Sequence, residues 1–297
     1  SHYAAISFHW GLRKYAEVLA LQLLPAAPLT TETQQYADAL EQTLGMPDSA
    51  LLYRSGFYKS THLFGVWQQS GQLHLLKYFK QPGDADSLLH ASTHAIRWFG
   101  EKFVIAPLHA AARDILLQPL LPRHAAVSVE QMLTQWQSLY PSLKNIPGSL
   151  ITLPAVPDVA LKTLPDAASL KTLLHTPLPE LPLCPAHGDF VPWNAFATEG
   201  GIALIDYENL GHYPLGYDLW HLLLQPGHVV GQSPADVPAI LQRAITLCPD
   251  LHAISADSLR AYLQIQLRFD ILHWHAYGNP KLPAAIGAKH STLQALA

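Results

Sequence analysis

Asp189, Asn194 and Asp206 lie close together in HGDFVPWNAFATEGGIALID, and their types suit phosphate chemistry assisted by a divalent ion. Gly200 and Gly201 form a turn that can take positive φ between two largely apolar segments, which predicts a hairpin with its loop over 199–201. Pairing about that loop sets Thr198 opposite Ile202 and Asn194 opposite Asp206, with β-carbons about 5 Å apart. An amide oxygen beside a carboxylate suits a hard cation such as Mg2+, which keeps waters and takes its remaining ligands from phosphate. Asp189 stands in HGDFVP, whose Gly and Pro predict a loop. The spacing D-x-x-x-x-N fits an aspartate that orients an attacking hydroxyl and accepts its proton a few ångströms from the metal. Lys77 is a charge inside the apolar run QLHLLKYF. A lysine over nucleotide phosphates is one reading, and the solvated lysine of an edge strand is the other.

These residues need elements to hold them. Helical patterns cover 9–23 and 32–44, behind Thr30 and Thr31 as N-caps. Strand-like runs at 50–54, 62–68 and 72–79 predict a meander, followed by a helix at 86–99 and strands at 103–109 and 114–120. Ser128 and Gln131 sit near a helix start, although the apolar pattern begins early for a capping box. Further helices are predicted at 166–175, 217–224, 234–247, 256–277 and from 283. The outcome is an α+β chain in two parts: a small antiparallel-sheet lobe at 1–122 and a larger, mainly helical lobe at 123–297.

Composition narrows the partners. With 297 residues, 49% hydrophobic and 13% charged, net charge −4, the chain is neither a disordered polymer nor a strongly basic nucleic-acid binder. No apolar run approaches the roughly 18 residues of a membrane span. A soluble cytoplasmic protein acting on a small molecule is expected, with Cys184 and Cys248 as packed, reduced thiols.

The order Lys77, His187-Gly188-Asp189-(x4)-Asn194, Ile205-Asp206-x-Glu208 and Gly216-Tyr217-Asp218-Leu219 resembles the aminoglycoside phosphotransferase and choline kinase-like family, which has the protein kinase-like fold. The resemblance implies an ATP- and Mg2+-dependent transfer of the γ-phosphoryl group to a hydroxyl of a small molecule: a sugar, an aminoglycoside-like compound or an amino alcohol. It implies Asp189 as the catalytic aspartate, Asn194 and Asp206 as Mg2+ ligands, and Lys77 on the ATP phosphates. Ser55 and Gly56 would open the loop above those phosphates, and the backbone from Gln118 through Leu120 to Leu121 would meet adenine. His187 and Asp218 match structural polar residues of the family, while a plain helix N-cap explains Asp218 equally well. Glu208, two residues after Asp206 and so on its strand face, is read as a further metal ligand or a surface charge.

The chain departs from the family in two places. The helix after the Lys77 strand has no interior glutamate; the missing carboxylate falls near Ser92, with Asp86, His90 and His94 as substitutes. The phosphate loop SGFYKST carries one glycine. These departures motivate a rival, a non-catalytic kinase-like module that binds nucleotide or a partner. A metal-dependent hydrolase built on His187 and Asp189 would need ligand motifs the sequence lacks. Phe190 and Trp193 are read as packing residues, and Arg260, Gln264, Arg268 and Asp270 as an ion-paired helix surface.

Overall fold

The computed structural model describes residues 3–5, 31–54, 61–162 and 164–296. The helix expected over 9–23 lies outside the described residues. The chain divides into two compact units, 1–96 with 105–122, and 97–104 with 123–297.

The first unit holds β1 (Tyr3–Ala5), α1 (Thr31–Leu44), β2 (Ser49–Arg54), β3 (Thr61–Gln69), β4 (Gln72–Phe79), most of α2 (Pro82–Phe99), β5 (His109–Ala112) and β6 (Ile115–Pro119). The strands form one sheet in the order β1-β2-β3-β4-β6-β5. All neighbours are antiparallel except β1 and β2. Ala37 and Leu40 of α1 pack on Leu52, Trp67, Leu76 and Ile115. Side chains alternate across a strand, so Leu76 and Tyr78 face this core and Lys77 points to the opposite face. Because β4 lies between β3 and β6, the edge-strand reading of Lys77 does not hold. The strand expected at 103–109 is also displaced. Val104 makes only an isolated bridge to Ala203, and regular pairing starts at His109. Pro107, which lacks an N–H, stands between them and cannot donate to a ladder.

The second unit contains β7 (Ala125–Ala126), α3 (Val129–Leu143), α4 (Asp158–Leu161), α5 (Ala167–His175), β8 (Leu183–Ala186), β9 (Ala195–Thr198), β10 (Gly201–Leu204), β11 (Gly211–Pro214), α6 (Tyr217–His228), α7 (Val237–Leu247), α8 (Ser255–Tyr277) and α9 (Leu282–Gln294). A full capping box opens α3: Ser128 Oγ accepts the Gln131 N–H at 3.2 Å, and Gln131 Oε1 accepts the Ser128 N–H at 2.9 Å. The early apolar start is no obstacle, because Val129 and the residues after it already lie inside the helix. Two small ribbons, β10-β9-β7 and β11-β8, frame the loops of interest. From Leu259 to Leu267, α8 is buried on nearly every side, as a helix running through a core must be. Leu267 and Ile271 join Leu161, Leu164, Leu170, Leu174 and Ile286 in that core. Cys184 and Cys248 are free and buried. Among the described residues, no helix is long and apolar enough to cross a membrane.

Candidate active site

The loop after β8 is held from beneath. Asp218, in the first turn of α6, accepts the backbone N–H of His187 at 2.7 Å and of Gly188 at 3.1 Å. Its side chain makes no N-cap bond, and Gly216 occupies the cap position, so the plain cap reading of Asp218 fails. Burial pushes the Asp218 carboxyl up to about 7, against the pull of those two N–H bonds. Gly188 has φ +84°, and a β-carbon there would lie 2.4 Å from the Asn209 carbonyl oxygen. Only glycine fits this close approach.

His187 is fully buried. Its Nε2 donates to the Ile205 carbonyl at 3.0 Å and its Nδ1 accepts the Asp189 N–H at 3.3 Å, which requires the neutral Nε2–H tautomer. Burial lowers its pKa to about 4, although Asp189 and Asp206 both pull upward. Phe99 and Phe190 meet the ring edge-on at 6.2 and 6.3 Å. His187 thus ties the loop to the end of the β9–β10 hairpin.

The Asp189 side chain, by contrast, is 34% exposed. Asn194 Nδ2 donates to its Oδ2 at 2.7 Å and to its backbone oxygen at 2.9 Å. His221 Nε2 lies 2.8 Å from its Oδ1. Burial raises the carboxyl pKa, but the hydrogen bonds from His221 and Asn194, with both nearby imidazoles, outweigh it and hold the group at about 2. Asp189 is therefore an ionised acceptor at neutral pH.

The hairpin register differs from the one expected. Gly201 pairs with Thr198 and Leu204 with Ala195, so the loop is Glu199–Gly200, one residue shorter. Asn194 then faces Ile205, whose N–H donates to the Asn194 carbonyl at 2.9 Å, and Asp206 lies one step beyond. Asn194 closes a 3-10 turn, Pro192–Asn194, and Asp206 takes the left-handed conformation at φ 62°, ψ 45°. The two residues are not a cross-strand pair; each is placed by its own turn at the open end of the hairpin. Glu208 does not share a strand face with Asp206 either, because Tyr207–Asn209 is a 3-10 turn. Asp206 and Glu208 are both exposed.

Within the first unit, Lys77 is 6% exposed, and its ammonium stands 5.5 Å from the centre of the Phe64 ring. Gln118 Nε2 donates to the Ala106 carbonyl at 2.8 Å, and the Leu120 N–H donates to the Leu73 carbonyl at 3.0 Å. The Leu120 amide is therefore engaged inside the sheet. Ser55 and Gly56 lie outside the described residues. At the place of the missing glutamate, Ser92 Oγ accepts the Leu108 N–H at 3.1 Å. His90 and His94 turn to each other, with Nε2 atoms 3.0 Å apart.

The aromatic residues divide. Phe190 is buried against Phe103 at 5.7 Å, as its packing role requires, and Trp193 is 40% exposed. On α8, Arg260 pairs with Asp257, Gln264 donates to the Leu173 and Thr176 carbonyls, Arg268 to the Leu174 carbonyl, and Asp270 accepts Lys289 at 2.5 Å. Only the Arg260 pair is a surface feature; Gln264 and Lys289 are buried. Two residues at the site were absent from the sequence reading. His221 follows Asp218 by three positions and was hidden in an apolar helix; Tyr262, bonded to His221 at 3.2 Å, sits on a helix whose pattern reads as core.

With this geometry in view, similarity to known proteins is informative. Residues 148–255 match the phosphotransferase enzyme family. None of the curated protein sequences matches the chain. Among solved structures, choline kinase LicA from Streptococcus pneumoniae is similar at 13% identity and TM-score 0.50, over 88% of this chain and 100% of that one. Macrolide 2'-phosphotransferase MphH from Brachybacterium faecium is similar at 13% identity and TM-score 0.53, over 87% and 97%. Aminoglycoside phosphotransferase APH(4)-Ia is similar at 12% identity and TM-score 0.56, over 90% and 100%, and a thermostable mutant of it in ternary complex with AMP-PNP and hygromycin B at 12% identity and TM-score 0.55, over 86% and 97%. The fold is accordingly the two-lobed, protein kinase-like one, and the segment that matches the phosphotransferase enzyme family carries the Asp189 loop, the hairpin and α6.

Proposed function

We propose that this protein transfers the γ-phosphoryl group of ATP to a hydroxyl of a small molecule, with Asp189 receiving the hydroxyl proton. The observation that carries the reading is the Asp189 carboxylate, ionised and reachable, bridged to Asn194 in a loop locked by Asp218. Such a group can align an acceptor oxygen for in-line attack and take its proton. APH(4)-Ia holding AMP-PNP beside hygromycin B supports a nucleotide and a small acceptor as the two substrates.

The residues at the hairpin end fit Mg2+. Asn194 turns its amide nitrogen onto Asp189, so its oxygen is what a cation would meet, and Asp206 adds an exposed carboxylate. Mg2+ held there would neutralise phosphate charge. In this reading Lys77 binds the phosphates, Ser55 and Gly56 cover them, the strand end at Gln118 and Leu120 borders the base, His187 and Asp218 brace the loop, and Glu208 stands by the metal. Residues 1–122 form the nucleotide lobe and 123–297 the catalytic and acceptor lobe. A cytoplasmic location, where ATP is abundant, goes with it, and the slight negative charge fits neither nucleic acid nor membrane as partner.

One observation favours the rival binding module: Ser92, at the place of the expected glutamate, brings a neutral hydroxyl that accepts the Leu108 N–H where a carboxylate would carry charge. The test is ATP consumption against a panel of sugars, aminoglycosides and amino alcohols, for the wild type and Asp189→Asn. The kinase reading expects acceptor-dependent turnover that falls by roughly three orders of magnitude in the variant, with nucleotide binding retained in calorimetry. Nucleotide binding without turnover on any acceptor selects the module.

A further inference from the structure

The proposed catalytic carboxylate is gripped from two sides. Asn194 takes Oδ2, and His221, 2% exposed, takes Oδ1. Behind His221 stands Tyr262, fully buried, with its hydroxyl 3.2 Å from Nδ1. Two rings flank it: Tyr217 lies parallel at 6.3 Å with planes 5° apart, and Tyr262 meets it edge-on at 5.8 Å. The helices that carry the pair are pinned on both flanks. Trp220 Nε1 donates to Ser258 Oγ at 2.8 Å, and Gln266 Nε2 donates to Tyr217 Oη at 2.5 Å. Ser258, Tyr262 and Gln266 recur every fourth residue, so they form one stripe along α8 facing α6.

This arrangement also selects a tautomer. A carboxylate oxygen only accepts, so Nε2 must carry a proton. Burial raises the Tyr262 pKa well above its usual value, so the phenol keeps its proton and can donate to a bare Nδ1. The chain Tyr262 O–H to Nδ1, Nε2–H to Asp189 is then satisfied at every atom. A buried imidazole with both nitrogens in use is a rigid strut between the helical core and the loop.

We propose that His221 is the positioning residue for Asp189: its Nε2–H, kept in that tautomer by the Tyr262 hydroxyl, fixes the plane of the carboxylate and hence the direction from which an acceptor hydroxyl can be met. The proposal rests on the kinase reading for its kinetic consequence, and on the hydrogen-bond geometry alone for the bond itself. A loop carboxylate held only by Asn194 could rotate about its side-chain torsions, and small misplacements of a reacting group cost up to about 100-fold in rate.

Three variants and one spectrum test it. His221→Phe keeps a ring but has no donor; His221→Gln restores an N–H near Nε2; Tyr262→Phe removes only the hydroxyl. Thermal melts and nucleotide calorimetry check integrity. The expected result is a kcat lowered about 10- to 100-fold in His221→Phe, nucleotide KM within about twofold of wild type, substantial recovery in His221→Gln, and a smaller fall in Tyr262→Phe. Unchanged kcat in His221→Phe, or an equal loss in the Gln and Phe variants, overturns the proposal. Nitrogen-detected NMR of the ring should find the Nε2–H tautomer in the wild type and a shifted Nε2–H signal in Asp189→Asn. A wild type without turnover refutes the kinase reading, while the ring spectrum still decides the bond: an Nδ1–H tautomer, or no response to Asp189→Asn, sinks it.

Discussion

The carboxylate of Asp218 accepts the N–H of His187 at 2.7 Å, although the two residues lie 31 positions apart. The same carboxylate takes the Gly188 N–H, so one buried side chain closes the backbone of the loop in front of Asp189. Asp218→Ala would strand two buried donors, each costing about 1–3 kcal/mol. Thermal denaturation should show a clear drop in Tm and turnover should fall with it; Asp218→Asn, which retains one accepting oxygen, should lose less. A melt of the Ala variant indistinguishable from wild type would contradict this account.

Asp206 separates backbone from charge. Its φ of 62° is one that Asn tolerates almost as well as Asp. Asp206→Asn is therefore expected to melt close to wild type while losing Mg2+-dependent nucleotide binding. Titration calorimetry with and without Mg2+ checks it, and undiminished binding removes Asp206 from the metal site.

Lys77 tests the sheet unit. A buried ammonium above the Phe64 ring is expensive to desolvate, and replacing it with an apolar chain of similar length is often neutral or stabilising. Lys77→Met should keep or raise Tm and weaken nucleotide binding roughly 10- to 100-fold, the worth of one charge-assisted bond. Equal nucleotide affinity in the variant would leave Lys77 a packing residue.

Acid stability should depend on His228. It is fully buried between α6 and α9, with Nε2 3.2 Å from Thr292 Oγ1 and no partner on Nδ1. Burial lowers its pKa to about 3, with Lys289 and His221 adding to the effect. The unfolded chain takes up this proton near pH 6.5 and the folded one only near 3. The stabilisation is thus complete above pH 6.5 and lost as pH falls toward 3, on the order of a few kcal/mol at most. His187, lowered to about 4, adds a slope of the same sign. His228→Leu should flatten the fall of Tm between pH 6.5 and 4; an unchanged slope would mean that His228 takes up its proton at the same pH in the folded and unfolded chain.

The contrast between sequence and structure follows the range of the forces involved. Local chemistry set the elements: period-2 runs for β2, β3 and β4, Ser128 with Gln131 for the start of α3, and Gly200–Gly201 for a turn. The turn was legible, but its length was not. Both registers satisfy the same glycines, and packing plus the Ile205–Asn194 hydrogen bond chose the shorter loop.

Order and spacing along the chain therefore picked out the candidates: Asp189, Asn194, Asp206 and Lys77 together suit phosphate chemistry, while Lys77 alone reads equally as a solvated strand residue. Tertiary structure alone decided how they are held. Lys77 became an interior rather than an edge residue when β6 paired beside β4, and Asp218 became a brace rather than a cap when the loop after β8 folded over α6. His221 and Tyr262 met only because two distant helices packed face to face. A helical histidine in an apolar run carries no mark of its partner, since burial and hydrogen-bond geometry depend on chain segments far away in sequence.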